Sequence, residues 1–274
     1  VLNVVDGAVA RPLGLALHAH RSVRARVDSR AKRPAPPLHP NILRALGRAP
    51  TFDDSASADH DIAIPGAFAP ASPSAPTRVL AAADGKLVWS YKTDDYINVS
   101  PAVVDGRFLV FGGCDSQLHV VNLKDGMLVH KIQTDAQIPA SIGTFGTMAF
   151  CGNYANQTVA FDVVGGKVAW TYEDRALPFF SSPAINDRLV LIGSRDKHLH
   201  AIHRATGEGA WKFKTGGRIE GSPIVFDDAV VFGSTDGRLY AASLETGAEL
   251  WQLELGESLV ASPAFGHRQL VVGG

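Results

Sequence analysis

The sequence predicts an all-β fold: a β-propeller of about five four-stranded antiparallel blades, preceded by an irregular N-terminal segment. Three observations carry that expectation. Glycines recur at Gly85, Gly126, Gly166, Gly207 and Gly247, at intervals of 41, 40, 41 and 40 residues. Four residues after each stands Trp89, His130, Trp170, Trp211 or Trp251, so all four tryptophans of the chain share one repeat position. Ser-Pro pairs recur in a second register at Ser100, Ser182, Ser222 and Ser262, with Ser141-Ile142 completing the series. A fixed period near 40 residues marks a repeat architecture, and four short strands per period mark a propeller blade.

Taken from the N-terminus, residues 1–76 differ in character from the rest. They hold ten of the sixteen prolines, and the first fifty carry nine Lys/Arg against two acidic residues. Arg30 to Pro40 and Ala67 to Pro76 read as linker, and no sustained period of 2 or 3.6 runs through the segment. The arginines between Arg21 and Arg33 have no aromatic residues among them, so a nucleic-acid arm lacks its stacking partners. The expected organisation is an irregular, poorly ordered 1–76 and a propeller over 77–274.

Within the propeller the copy from Ser222-Pro223 is clearest, with strands at Pro223–Phe226, Ala229–Gly233, Leu239–Ser243 and Glu249–Leu253. Glu245-Thr246-Gly247 between the last two, like Lys124-Asp125-Gly126 and Ala205-Thr206-Gly207, is a tight hairpin turn whose glycine supplies a positive φ. Proline cannot donate a ladder hydrogen bond, so the Ser-Pro strand is an edge, the innermost one, and the tryptophan strand is the outer edge. Before Asn98 the chain supplies only a third strand (Arg78–Ala83) and an outer strand (Lys86–Tyr91). After Glu254 it supplies only an inner strand (Leu259–Phe265) and a second strand (Gln269–Gly273). These halves are complementary and are expected to close a fifth blade split between the termini; the alternative is an open arc.

Composition narrows the function. Lys and Arg number 26 against 27 Asp and Glu, a formal net charge of -1, which gives no global field for nucleic acid or an anionic membrane. No apolar run reaches the roughly 18 residues of a membrane-spanning helix. Cys114 and Cys151 make neither a disulfide framework nor a Cys-x-x-Cys metal site.

The pattern Ala-x-Asp-x-x-x-Gly-x-x-x-Trp is complete from Ala160 through Asp162 and Gly166 to Trp170. Ala201/Gly207/Trp211 and Ala241/Gly247/Trp251 match it with His203 and Ser243 at the Asp position, and Val120/Asn122/Gly126/His130 is the weakest copy. This resembles the tryptophan-docking motif of the pyrroloquinoline-quinone (PQQ)-like repeat propellers. The resemblance implies that Trp89, Trp170, Trp211 and Trp251, with their glycines, lock blades together. It also implies a non-catalytic bacterial member serving as a scaffold or protein-interaction module, periplasmic or envelope-associated, with no cofactor. The alternative in that family is a PQQ-dependent dehydrogenase, but those enzymes need adjacent cysteines and a calcium cluster that have no counterparts here.

Candidate chemical residues have plainer readings. His198, His200 and His203 invite a metal, yet His200 aligns with His119, Val159 and Tyr240, which makes it a slot for any bulky side chain. The repeated serine lacks a His/Asp partner pattern and is read as a hydroxyl bonding backbone. Asp115, Asp196 and Asp236 recur at turns and are read the same way. The loops entering the inner strands and leaving the second strands share one face. There Tyr96, Tyr154, Arg175, Phe180, Arg195 and Lys197 form a candidate interaction face, with Tyr154 and Phe180 expected as an aromatic pair beside arginines. Phe179 aligns with Ile97, Ile138, Ile219 and Leu259 and is expected in the core.

Overall fold

The computed structural model describes residues 62–63 (backbone only), 76–97, 99–174, 177–266 and 269–273. Four complete blades follow one another: β4 (Ala102–Val104), β5 (Phe108–Gly112), β6 (Gln117–Asn122), β7 (Leu128–Gln133); β8 (Gly143–Phe145), β9 (Met148–Gly152), β10 (Gln157–Asp162), β11 (Lys167–Glu173); β12 (Ala184–Ile185), β13 (Leu189–Gly193), β14 (His198–His203), β15 (Gly209–Lys214); and β16 (Ile224–Phe226), β17 (Ala229–Gly233), β18 (Arg238–Ser243), β19 (Glu249–Glu254). Each is an antiparallel sheet in chain order. The inner strands β4, β8, β12 and β16 touch from blade to blade, as strands around a common axis do. Pro101, Pro183, Pro223 and Pro263 stand immediately before an inner strand, where a missing N–H costs no ladder bond.

The expected turns are present. Gly85, Gly126, Gly207 and Gly247 each donate their N–H to the residue four back at 2.8–2.9 Å, with φ between 70° and 78°. Just before each turn the register slips by one residue, between Val79/Leu80, Val120/Val121, Ala160/Phe161, Ala201/Ile202 and Ala241/Ala242. The residue before each slip faces the docking position: Val79 opposite Trp89, Val120 opposite His130, and an alanine opposite each of the other three tryptophans. A bulge at that point re-aims the outer strand's large side chain, and a small cross-strand partner leaves it room.

The ends differ from the split blade. β20 (Ala264–Gly266) and β21 (Gln269–Val271) pair with each other, and among the described residues the expected ladder between Gln269–Gly273 and Arg78–Ala83 is not formed. Instead β1 (Ile62–Ala63) lies on the free edge of β2 (Thr77–Ala81), which pairs on its other side with β3 (Leu87–Tyr91). A partner close upstream in the chain closes a far shorter loop than one at the opposite terminus, so its entropic cost is smaller. Two residues of the segment expected to be irregular are thus strand. The linker and basic stretches lie outside the described residues.

The core lies between the blades. Phe111, Phe150, Phe161, Phe179 and Phe232 are fully buried, as expected for Phe179. Its repeat equivalents Ile138, Ile219 and Leu259 are buried too. Each plugs the glycine ending the second strand of the preceding blade: a Cβ on Gly112 would lie 2.5 Å from Ile138 Cδ1, and one on Gly233 would lie 2.9 Å from Leu259 Cβ. Gly152 receives Phe179 and Gly193 receives Ile219 in the same way.

Candidate functional site

Two sets of residues, one at the rim and one on the loop face, carry the site chemistry. At the rim four of the five docking rings reach the next blade. Trp89, Trp170 and Trp211 donate their indole N–H to the carbonyls of Leu123, Arg204 and Leu244 at 2.8, 2.9 and 3.0 Å. Each indole covers a turn glycine of that blade, so that a Cβ on Gly126, Gly207 or Gly247 would collide with it at 2.5–2.7 Å. His130 does the same over Gly166 and reaches Val164 O at 3.2 Å. Trp251 is 38% exposed, and the space above Gly85 is open.

Between blades there are further polar clips. The Tyr91 hydroxyl and His119 Nδ1 share a hydrogen bond at 3.2 Å, and His119 Nε2 meets Asp115 at 2.6 Å. Tyr172, His200 and Asp196 repeat this arrangement two blades on. In the last whole blade Tyr240 takes the histidine's place and donates to Asp236 at 2.7 Å. The three aspartates also accept the N–H of Gln117, His198 and Arg238, the local turn bond expected of them. Burial alone would raise the Asp196 carboxyl, but the hydrogen bond and charge of His200, with the His198 N–H, hold it down at about 2. Burial pushes the Tyr172 hydroxyl up to about 12, helped by Asp174 and Asp196.

Asp174, Asp196 and His200 offer ligand atoms within 4.8 Å of one another. The Lys212 ammonium already lies 2.6 Å from Asp174, and Tyr172 already engages His200, so a cation there would have to displace both. Of the three histidines singled out in the sequence, His200 is buried in this clip, His198 bonds the Asp196 carbonyl, and His203 is exposed. The recurring serines bond backbone across blades: Ser141, Ser222 and Ser262 hydroxyls accept the N–H of Ser100, Ser182 and Ser222.

On the loop face the structure brings Tyr154, Phe180 and Arg195 together. Tyr154 follows β9, Phe180 precedes β12, and Arg195 follows β13. The Tyr154 and Phe180 rings meet edge to face at 5.1 Å, and the Arg195 guanidinium lies 3.8 Å from the Phe180 ring centre. Glu220, on the loop into β16, holds Arg195 Nε at 3.0 Å and faces Arg218 at 3.6 Å. Tyr154 is 48% exposed and Phe180 half-buried, so the row is open to solvent. Tyr96 lies on the loop before β4, its carbonyl bonded to Cys114 N. Lys197 is exposed at a left-handed turn, φ 70°, its carbonyl bonded to Thr215. Neither joins the Tyr154–Phe180–Arg195 row, and Arg175 lies outside the described residues. The sequence reading missed Glu220 as the tether, and also missed the second-strand glycines. The recurrence of Gly112, Gly152, Gly193 and Gly233 was the available signal for the latter.

A search of curated proteins yields no significant match. Among solved structures, BamB from Moraxella catarrhalis superposes with a TM-score of 0.61 at 21% identity, covering 71% of this chain and 65% of that one. The computationally designed Ika8 protein superposes at 0.65 with 18% identity, covering 72% and 61%. The chain therefore spans less than two thirds of the length of either, and at these identities the likeness shows the fold alone. A family model described as outer membrane protein assembly factor BamB matches residues 74–184 and 155–274, which is most of the chain. With its PQQ-like repeat blades and tryptophan docks, the chain belongs to the BamB-like family of β-propellers.

Proposed function

We propose that the chain is a non-enzymatic scaffold that binds a protein partner through the Tyr154–Phe180–Arg195 row on its loop face. The supporting observation is the row itself: two accessible aromatic rings and a guanidinium, drawn from different blades and held in one geometry by Glu220. Aromatic and arginine side chains with little rotamer freedom left to lose are the side chains that dominate binding energy at protein interfaces. The family's description as an outer membrane protein assembly factor supports placement in the cell envelope and a partner in that assembly. Among the described residues no helix is long and apolar enough to cross a membrane.

A photo-crosslinker at Tyr154 should capture a discrete envelope partner, and Phe180→Ala with Arg195→Glu should weaken that capture at least tenfold. A crosslinker at Met127, exposed on a turn between β6 and β7, serves as control. Equal capture from both positions sinks the assignment. Adding PQQ and calcium should leave the melting temperature unchanged; a ligand-dependent rise with dye reduction on an alcohol would overturn the scaffold reading in favour of an oxidoreductase.

A further inference from the structure

Because the blades repeat, their turns compare position by position, and the third whole blade departs from the others at two basic residues. The residue four before the turn glycine caps its own turn in the other three. Asn122 Oδ1 accepts the N–H of Lys124 at 2.9 Å, Asp162 Oδ1 that of Gly165 at 2.9 Å, and Ser243 Oγ that of Thr246 at 3.4 Å. In the third whole blade this residue is His203, which is exposed and whose ring bonds no part of its turn. The turn from inner to second strand departs as well. In the first whole blade Asp105 holds Arg107 Nε at 2.9 Å. Arg188 stands at the same position of the third, but Asn186 replaces the aspartate and spends its Oδ1 on the N–H groups of Arg188 and Leu189. Among the described residues the Arg188 guanidinium has no ion pair.

Both released side chains line one cleft of about 160 Å³, at the seam between the third and fourth whole blades. Its apolar walls are Leu189, Trp211 and Leu244, and Glu245 lines it from the fourth blade. We propose that this cleft binds an acidic segment of a partner protein: one apolar side chain enters against the Trp211 ring, and a carboxylate two residues along meets Arg188 and His203. The volume is about half that of the smallest sites for drug-sized ligands, which suits a single side chain. A guanidinium presents its donors in the fork that a carboxylate matches, and here no acid of the chain occupies it. In an extended segment residues two apart face the same side, so both can reach the seam together. Glu245 repels a second acid, which limits the motif to one carboxylate beside an apolar residue. The second whole blade carries Thr147 and Asp162 at these two positions, so its seam lacks the pair of bases. The cleft lies at the turn joining inner to second strand, the opposite strand ends from Arg195, and is separate from the loop-face row.

Nitrogen-15 spectra of the 274-residue chain report each of its four indole N–H groups separately. Titration with acetyl-Phe-Ala-Glu-amide should move the Trp211 signal and leave those of Trp89 and Trp170 in place, with a Kd on the order of 1 mM for a contact this small. The same peptide with glutamine or lysine in place of its glutamate should bind at least tenfold more weakly. Arg188→Glu should abolish the shift. His203→Asp installs the residue that the second blade already carries, so the fold is kept while the peptide weakens severalfold. Phe180→Ala with Arg195→Glu should leave peptide binding unchanged, which separates this cleft from the loop face. The proposal is overturned if all three peptides move Trp211 alike, or if binding survives Arg188→Glu or His203→Asp undiminished. Loss of binding in the loop-face variant overturns it too, as does a Trp211 signal that stays in place at ten times the expected Kd.

Discussion

At the scale of single residues the docking indole does two jobs. Its ring fills the notch above a glycine and its N–H satisfies a backbone carbonyl of the neighbouring blade. Trp211→Ala removes both, and leaves a hole at a step where Gly247 cannot move in to fill it. The expected loss is about 3 kcal/mol in denaturant unfolding, at the lower end for a large aromatic because the ring is half-buried; a loss under about 1 kcal/mol sinks the docking account. Asp196 gives a pH-dependent test. Its carboxyl is held at about 2 in the fold against an ordinary 3.8, so its contribution is complete above about pH 4 and is lost as pH falls through about 2. The depression is worth about 2 kcal/mol. Asp196→Asn should therefore be less stable than the parent chain by about that much at neutral pH. The two stability curves should converge below pH 2, and a gap independent of pH would assign the loss to packing and not to the carboxylate. Single residues were also where the sequence was least legible. It placed Tyr154, Phe180 and Arg195 on one face, but the 3.8 Å stack and the Glu220 tether depend on side-chain rotamers that no spacing reports.

At the scale of elements, legibility followed periodicity. Glycine turns, proline-flanked inner strands and tryptophan outer strands each repeat five or nearly five times, and the strands fall within a few residues of their expected bounds. The Ile62–Ala63 strand repeats nowhere and is two residues long, so no pattern could announce it; it exists only because β2 has a free edge nearby. Periodicity also exposes the exception. His130 takes the indole's place with the same carbonyl geometry at 3.2 Å, but an imidazole buries less apolar surface at about 25 cal/mol per Å². The step between the first and second whole blades should be the weakest of the four docked ones. Amide hydrogen exchange is expected to be faster across β7 and the 163–166 turn than across β15 and the 244–247 turn. The reverse order would remove the indole's size as the source of step strength.

At the scale of the molecule the question is whether coupling runs along a line or around a circle. Among the described residues the inner strands touch from each blade to the next, so stability is close to a sum of blade terms and step terms, as in other repeat proteins. In a closed ring a weakened step is bypassed, because every blade remains tied to the rest through the other direction. In an open arc it is not: the chain has one route, and a weak step divides it. Among the described residues β20–β21 and β1–β2–β3 are laddered separately, so no strand pairing ties the first described blade to the last. The step to cut is the one from the second to the third whole blade, where Trp170 covers Gly207 and bonds the Arg204 carbonyl. Trp170→Ala should split the unfolding of the chain into two transitions, one for residues 77–174 and one for residues 177–266, with the parent chain unfolding in a single broader-spanning step. Segment-resolved hydrogen exchange across a denaturant series reads both halves at once, free of the overlapping signals of the remaining tryptophans. The half containing the His130 step should melt first. Coincident transitions in both halves of the Trp170→Ala variant would show that the blades remain coupled by a second path, and the arc would have to be given up for a ring.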